Sequence, residues 1–162
     1  DVMPSNCFTQ MSSPAMIRKL IREADLVIGS VLIPGAKTPK LVTRDMLKIM
    51  KKGAVMVDVA IDQGGCFETS KATTHKDPIF TVAAVIHYCV SNMPGAVART
   101  STQALTNATL PYAAEIADKG WKRAMKENPE IKRGANVIGG QITFKGVSDA
   151  FGMKLVPVDE LL

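Results

Sequence analysis

Three short segments of the sequence combine polar side chains with a glycine or a proline, and each follows a run of apolar residues. They are residues 30–35 (Ser-Val-Leu-Ile-Pro-Gly), 60–65 (Ala-Ile-Asp-Gln-Gly-Gly) and 91–94 (Ser-Asn-Met-Pro). Asp62 carries the only carboxylate in these segments. Carboxylates hold protons and stabilise charge in many active sites, so Asp62 is the residue here best suited to chemistry.

The same residues also fit an ordinary turn. An aspartate after a strand often bonds nearby backbone amides, and Gly64 and Gly65 permit backbone angles that other residues avoid. Taken alone, these residues favour a turn over a catalytic site, although the glycines would also let the backbone approach a ligand closely.

Neither histidine falls in these segments. His75 lies in a polar stretch, which predicts a surface position, whereas His87 lies in an apolar run, which favours a structural histidine over a catalytic one. The sequence lacks the GxSxG, HExxH and GxxxxGKS/T motifs. It also lacks the GxGxxG turn that cradles dinucleotide phosphates. Residue patterns alone therefore indicate a crevice without identifying a reaction.

Helices and apolar strands alternate along the first part of the chain, and this order predicts where the three segments lie. One predicted helix begins at Pro14, capped by Ser13, and another begins at Thr43 and ends at Gly53. Continuous apolar runs predict buried strands at residues 26–31, 54–61 and 86–90. This alternation favours an α/β fold with a parallel sheet, which binds ligands beyond the carboxyl ends of its strands.

The pattern changes after residue 94. Helical spacing predicts helices over residues 97–107 and 109–119, and Pro111 is expected to split or kink the pair. A further short helix is predicted over residues 121–127, before Asn128 and Pro129. The glycine-containing tail predicts loops and short elements.

Composition limits the class of protein. The chain has 162 residues, of which 46% are hydrophobic, and a formal net charge of +5, which suits one packed globular fold. No uncharged apolar run reaches the roughly 18 residues that a membrane span needs, so we expect no membrane partner. Dispersed basic residues and 5% aromatic residues argue against nucleic acid. Three cysteines without metal-ligand spacing fit the reducing cytoplasm and predict no metal site.

Longer stretches around the polar segments resemble the alanine dehydrogenase/transhydrogenase family, and alanine dehydrogenases above all. The stretches that carry the likeness are residues 24–37, 50–68, 88–97, 100–102 and 104–112. They follow one another in the order and spacing of the family. The resemblance implies the carboxyl-terminal part of such an enzyme.

The resemblance divides the chain into two parts. Residues 1–96 would form the second half of a Rossmann-type, parallel-sheet NAD-binding domain, without its first βαβ unit and GxGxxG turn. Residues 97–162 would be helices that return to the substrate domain. The implied enzyme is a cytoplasmic homohexamer that uses NAD to convert L-alanine to pyruvate and ammonia, and catalyses the reverse reaction.

The resemblance makes Asp62 the catalytic residue of this chain. Its carboxylate would bond the nicotinamide ribose or the substrate amine, and stabilise positive charge as the imine forms. Lys71 falls where relatives often have an arginine, and a lysine keeps the cation but loses the bidentate fork. The residues that would contact the cofactor are Ser12, Val31, Leu32, Val59, Ala60, Ile61, Asp62, Lys71, Val90, Ser91, Asn92 and Met93.

Two other interpretations remain open at this stage. The chain could come from the soluble NAD-binding subunit of a nicotinamide nucleotide transhydrogenase, which is related to alanine dehydrogenase. It could also act as a literal 162-residue fragment, which we expect to be inactive because removal of the first βαβ unit would expose a strand edge.

Overall fold

The computed structural model describes residues 4–31, 33 and 38–162, which fall into two compact units. The first unit ends at Met93 and the second begins at Pro94, three residues before the domain boundary expected between residues 96 and 97. The chain passes from one to the other through a 3-10 helix, Met93–Val97.

In its described residues, the first unit contains one α-helix, four strands and two 3-10 helices. In chain order these are α1 (Pro14–Leu20), β1 (Leu26–Gly29), the 3-10 helix Arg44–Ile49, β2 (Val55–Asp58), the 3-10 helix Ile61–Gln63, β3 (Ile79–Val82) and β4 (Val85–Tyr88). As predicted, α1 is capped by Ser13, whose hydroxyl accepts a hydrogen bond from the Met16 N–H at 3.2 Å.

The four strands form one sheet in the order β1-β2-β4-β3. β1 pairs with β2 and β2 pairs with β4, both in parallel, so the carboxyl ends of all three lie at one edge. This confirms the predicted parallel α/β sheet. In the register, Met56 of β2 lies between Val27 of β1 and His87 of β4.

The strands are shorter than their apolar runs suggested. β2 was expected over residues 54–61 but ends at Asp58, because the Asp58 carboxylate accepts a hydrogen bond from the Ala60 N–H at 3.1 Å and starts a turn. β1 ends at Gly29 instead of residue 31. Residues at the end of each apolar run are therefore free to line a crevice instead of pairing in the sheet.

The helix predicted from Thr43 to Gly53 is wrong in type and length. Arg44–Ile49 is a 3-10 helix that ends at Met50, and Gly53 lies in the turn before β2, with φ of +80°. Met46 and Leu47, which are adjacent in this short element, are both buried in the core. Lys51 lies beyond the helix and pairs with Asp25 at 2.7 Å.

Strand β3 was not predicted. It pairs antiparallel with β4 through a two-residue turn, Ala83 and Ala84, whose φ angles are +49° and +65°. Such turns normally carry asparagine or glycine, and two alanines give no hairpin signal in the sequence.

The core of this unit packs against one face of the sheet. Its main side chains are those of Ile21, Val42, Met46, Leu47, Met56, Phe67 and Val85. Gly29 lies so close to this core that an added Cβ would be 2.1 Å from Cys66 Sγ and 2.7 Å from the Phe67 ring. A glycine is therefore needed at the end of β1, directly before the candidate site.

The second unit is mainly helical. Its elements are α2 (Ala98–Lys119), α3 (Trp121–Glu127), α4 (Pro129–Arg133), the β5 (Val137–Ile138) and β6 (Gln141–Ile142) hairpin, α5 (Lys145–Phe151) and the 3-10 helix Val158–Glu160. The predicted helix over residues 121–127 and the short elements of the tail are confirmed.

The predicted split at Pro111 is wrong, because α2 runs through it as one helix of 22 residues. The proline φ is close to the helical value, and Pro111 lacks the N–H that would bond to the Asn107 carbonyl one turn earlier. The true end of α2 is Gly120, whose φ is +74°.

Candidate functional site

A hollow lies at the carboxyl ends of β1 and β2. The parallel register sets Gly29 beside Asp58, and the Val59 N–H donates to the Gly29 carbonyl at 2.8 Å. The residues that follow each strand therefore meet across a narrow gap. The hollow is lined by Ser30, Val31, Val59, Ala60, Asp62 and Gln63.

A second hollow continues from the first and shares Ser30 and Val31 with it. It reaches Ser12, which lies next to the cap of α1, and is otherwise mostly apolar, with walls that include Ile17 and Leu41. The two hollows together bring Ser12, Val31, Val59, Ala60 and Asp62 of the predicted site to one side of the sheet edge.

Asp62 lies in the short 3-10 helix Ile61–Gln63, with its side chain exposed. Its neighbour Gln63 contributes a buried Oε1 atom that accepts no hydrogen bond from the described residues. The hollow thus offers a ligand one exposed carboxylate, that of Asp62, which can accept hydrogen bonds.

The turn that carries Asp62 is built on a second, buried carboxylate, Asp58. Asp58 accepts hydrogen bonds from the N–H groups of Cys66 at 2.9 Å and Phe67 at 3.4 Å, and also from the Ser70 hydroxyl. A fully buried carboxylate is stable only when donors surround it in this way. Asp58 therefore fixes the path of the chain from residue 60 to residue 70.

Gly65 fits this arrangement for two reasons. Its φ is +74°, and an added Cβ would lie 2.6 Å from Asp58 Oδ2 and 2.7 Å from Ser70 Cβ. The glycine pair therefore does form a turn, as the residues alone suggested. That turn sets Asp62 at the rim of the hollow, so the turn and site interpretations are compatible.

The third predicted segment follows β4. Asn92 adopts a left-handed backbone with φ of +56°, and its carbonyl accepts a hydrogen bond from His75 Nε2 at 3.0 Å. Ser91 and Met93 are half-buried, and the Ser91 N–H donates to the Thr73 carbonyl at 3.1 Å. These residues lie outside the linings of the two hollows described above.

The remaining predicted contact residues differ in their exposure. The side chains of Ile61 and Val90 are buried, with 7% and 0% exposed, so they offer a ligand mainly their backbone. Lys71 is exposed. Leu32 lies outside the described residues, as do Pro34 and Gly35 of the first polar segment.

The buried titratable side chains next to this site are structural. His87 is fully buried, and burial lowers its pKa, so the ring is neutral. Its Nδ1–H donates to the Val85 carbonyl at 3.1 Å and its Nε2 accepts from the Thr69 hydroxyl at 2.8 Å, which confirms the structural interpretation. Burial, and then the Asp58 carboxylate, raise the pKa of the Cys66 thiol to about 12.

Sequence reasoning missed Asp58, Gln63 and Ser30 as individual residues. Asp58 could have been found, because a carboxylate within an apolar strand needs buried donors and must organise the chain around it. Ser30 and Gln63 lie inside the quoted segments, but their types alone give no such signal.

A parallel sheet with hollows beyond the carboxyl ends of neighbouring strands defines the first unit as part of a Rossmann-type α/β domain. Comparison with known families then gives the particular group. Residues 1–145 match the family described as "Alanine dehydrogenase/PNT, C-terminal domain". The chain belongs to this alanine dehydrogenase/PNT family.

Two curated relatives are alanine dehydrogenases. That of Halomonas elongata is 56% identical over 95% of this chain and 42% of its own length, and that of Lysinibacillus sphaericus is 53% identical over 100% and 44%. The chain therefore spans less than half the length of these relatives.

Known structures agree with this assignment. An L-alanine dehydrogenase superposes with a TM-score of 0.74 at 45% identity, over 87% of this chain and 39% of its own. A transhydrogenase from Sinorhizobium meliloti gives 0.51 at 35% identity, over 57% and 26%. The alanine dehydrogenase is thus the better match in coverage, identity and superposition.

In the part of the chain that the structure describes, no cluster of three or more His, Cys, Asp or Glu side chains could hold a metal ion. No helix among the described residues has the length and apolar character needed to cross a membrane.

Proposed function

We propose that this chain is the carboxyl-terminal part of an NAD-dependent alanine dehydrogenase. The full enzyme converts L-alanine to pyruvate and ammonia, and catalyses the reverse reaction. The observation that carries the proposal is the carboxylate of Asp62 at the rim of an apolar hollow at the sheet edge, in a chain more than half identical to alanine dehydrogenases.

The hollow next to Asp62 suits the nicotinamide half of NAD. Val31, Val59 and Ala60 offer apolar walls for a flat ring, and Ser30 and Gln63 complete the lining with polar side chains. When bound, NAD supplies a hydride acceptor for the substrate Cα. Ser12, in the adjoining hollow, would bind the adenosine half.

Asp62 is the catalytic residue in this proposal. Its carboxylate bonds the nicotinamide ribose or the substrate amine, and its charge stabilises the positive nitrogen as the amine becomes an imine. A side chain exposed on a braced turn suits this function, because the carboxylate can meet substrate without a rearrangement of the backbone.

The wider features of the enzyme follow from the same proposal. Residues 1–96 belong to the NAD-binding domain and residues 97–162 to the substrate domain. Val90, Ser91, Asn92, Met93 and Lys71 contact the cofactor. The enzyme is a cytoplasmic homohexamer without a nucleic acid or membrane partner.

The test of the proposal is Asp62→Asn in the full-length enzyme. The amide keeps the shape of the side chain but loses its charge, so turnover of alanine should fall about 10²–10³-fold, while the affinity for NADH changes little. Steady-state kinetics and fluorescence titration with NADH measure the two quantities. Asp118→Asn, an exposed position on α2, is the matched control and should be normal.

Two outcomes would contradict the proposed function of Asp62. Near-normal turnover would make it a turn residue only, and lost NADH affinity with normal turnover at saturation would make it a cofactor anchor. The intact mass of the natural protein tests the fragment interpretation, because a 17.4 kDa species would contradict a full-length enzyme.

A further inference from the structure

One neighbouring segment, residues 38–41, is hydrogen-bonded to the backbone carbonyls of the turn that carries Asp62. Thr38 donates from its N–H and its hydroxyl to the Gln63 carbonyl, both at 3.3 Å. The Leu41 N–H donates to the Cys66 carbonyl at 2.7 Å. Residues 38–41 therefore donate hydrogen bonds to the carbonyls on both sides of the Gly64–Gly65 pair.

The two carbonyls between these ends are bonded by a single side chain. Lys40 Nζ donates to the Gly64 carbonyl at 2.5 Å and to the Gly65 carbonyl at 2.7 Å. Both bonds are charge-assisted, which makes them stronger than ordinary amide hydrogen bonds. Four consecutive carbonyls, from Gln63 to Cys66, are thus bonded by residues 38–41.

The amide side of the same turn is bonded by the opposite charge. Asp58 accepts from the N–H groups of Cys66 and Phe67, while the Lys40 ammonium lies against the carbonyls of Gly64 and Gly65. The Asp58 carboxylate on the N–H groups and the Lys40 ammonium on the carbonyl groups together restrain the peptide planes of this turn. Glycines most need such restraint, because they have the widest choice of backbone angles.

We propose that Lys40 is a positioning residue for Asp62. It holds the Gly64–Gly65 peptide planes, and through them the catalytic carboxylate, in the geometry that the reaction needs. This inference rests on the proposed function of Asp62. Lys40 is exposed and outside the core, so the fold does not depend on its burial.

The experiment is a double-mutant cycle in the full-length enzyme, with Lys40→Met and Asp62→Asn singly and together. Lys40→Met keeps an unbranched side chain of similar length but removes both hydrogen bonds. Misplacement of a catalytic group by about 1 Å can cost about 10²-fold, so we expect Lys40→Met to lower kcat about 10- to 100-fold. NADH affinity and melting temperature should stay near the parent values.

The cycle separates positioning from a general structural effect. If Lys40 acts through Asp62, Lys40→Met lowers kcat in the parent enzyme but causes little further loss in the Asp62→Asn background. Lys40→Arg, which keeps a cationic donor, should restore most of the activity. Lys52→Met, at an exposed lysine in the turn before β2, is the control and should be normal.

Other outcomes overturn the inference in distinguishable ways. Equal losses from Lys40→Met in both backgrounds, or no loss in either, would show that Lys40 does not act through Asp62, and would leave the proposed function intact. Normal turnover of Asp62→Asn would overturn the proposed catalytic function, and the positioning of Asp62 with it.

Discussion

The turns that follow β2 and β4 are held in different ways, although both leave the same edge of the sheet. The β2 turn lies between the buried Asp58 and the Lys40 ammonium, and its backbone groups are bonded to residues on both sides. In the β4 turn, the exposed His75 donates a hydrogen bond to the Asn92 carbonyl, and the residue with the left-handed backbone is Asn92 instead of a glycine.

Under the proposed function, this difference suits two separate tasks of the enzyme. A group that stabilises charge in a reaction needs a fixed position, because electrostatic stabilisation is most effective when it is preorganised. A contact to a cofactor that must enter and leave is better served by a weaker, exposed turn. We therefore expect changes in the β2 turn to affect kcat, and at the buried Asp58 also stability, and changes in the β4 turn to affect KM for NAD.

The largest effect is expected from Asp58→Asn. The amide turns an NH₂ group either toward the Ala60 N–H or toward the N–H groups of Cys66 and Phe67 and the Ser70 hydroxyl, which leaves buried donors unpaired. Breaking such a network costs about 3 kcal/mol, and so lowers the melting temperature of the full-length enzyme by about 4 °C. Calorimetry measures this.

Asp45→Asn is the control for that measurement. Asp45 is paired with Arg18 and Lys48 at the exposed surface, so its loss should shift the melting temperature by about 1 °C or less. Equal shifts for Asp45→Asn and Asp58→Asn would show that the buried carboxylate does not brace the β2 turn.

The next effect is the pH dependence of the unfolding free energy that the buried His87 causes. Burial lowers the pKa of His87 from 6.5, so the unfolded chain binds a proton more readily than the folded protein. The unfolding free energy should therefore fall as the pH falls below 6.5, by up to about 1.4 kcal/mol per pH unit, until the folded histidine also titrates.

Melting temperatures between pH 7.5 and 5.5 check this sign. His87→Gln should flatten the decline on the acidic side, because glutamine can bond Thr69 but does not titrate. If His87→Gln has the parent slope, then His87 is not the source of the pH dependence.

The sequence predicted the parallel sheet and the converging strand ends because a run of apolar residues can be read from residue type alone. Such a run indicates a buried strand. It did not predict where β2 stops, because that depends on the long-range bonds of Asp58 to residues 66 and 67. The hairpin at Ala83 was missed because its left-handed angles are imposed by strand pairing. The hydrogen bond from Lys40 to the Gly65 carbonyl joins residues that are 25 positions apart, and no spacing rule predicts it.

In the β4 turn, Asn92→Val tests the left-handed backbone. A β-branched residue at φ of +56° costs about 1–2 kcal/mol, and the turn relieves that strain by shifting. Asn92→Gly loses the same amide side chain but tolerates the angle. We expect KM for NAD to rise more for Asn92→Val than for Asn92→Gly, by about fivefold to thirtyfold, with kcat little changed. Equal KM values would show that the backbone angle is unimportant.

The smallest effect is expected from His75→Ala. His75 donates one exposed hydrogen bond to the Asn92 carbonyl, and such a bond contributes about 0.5–1 kcal/mol. If the β4 turn binds the cofactor, loss of this hydrogen bond should raise KM for NAD about two- to fivefold and leave kcat unchanged. His75→Gln, which keeps a donor, should recover most of the affinity, and Lys76→Ala, at the exposed neighbour, should be normal. A fall in kcat with unchanged KM would place the β4 turn in the chemical step and remove the distinction between the two turns.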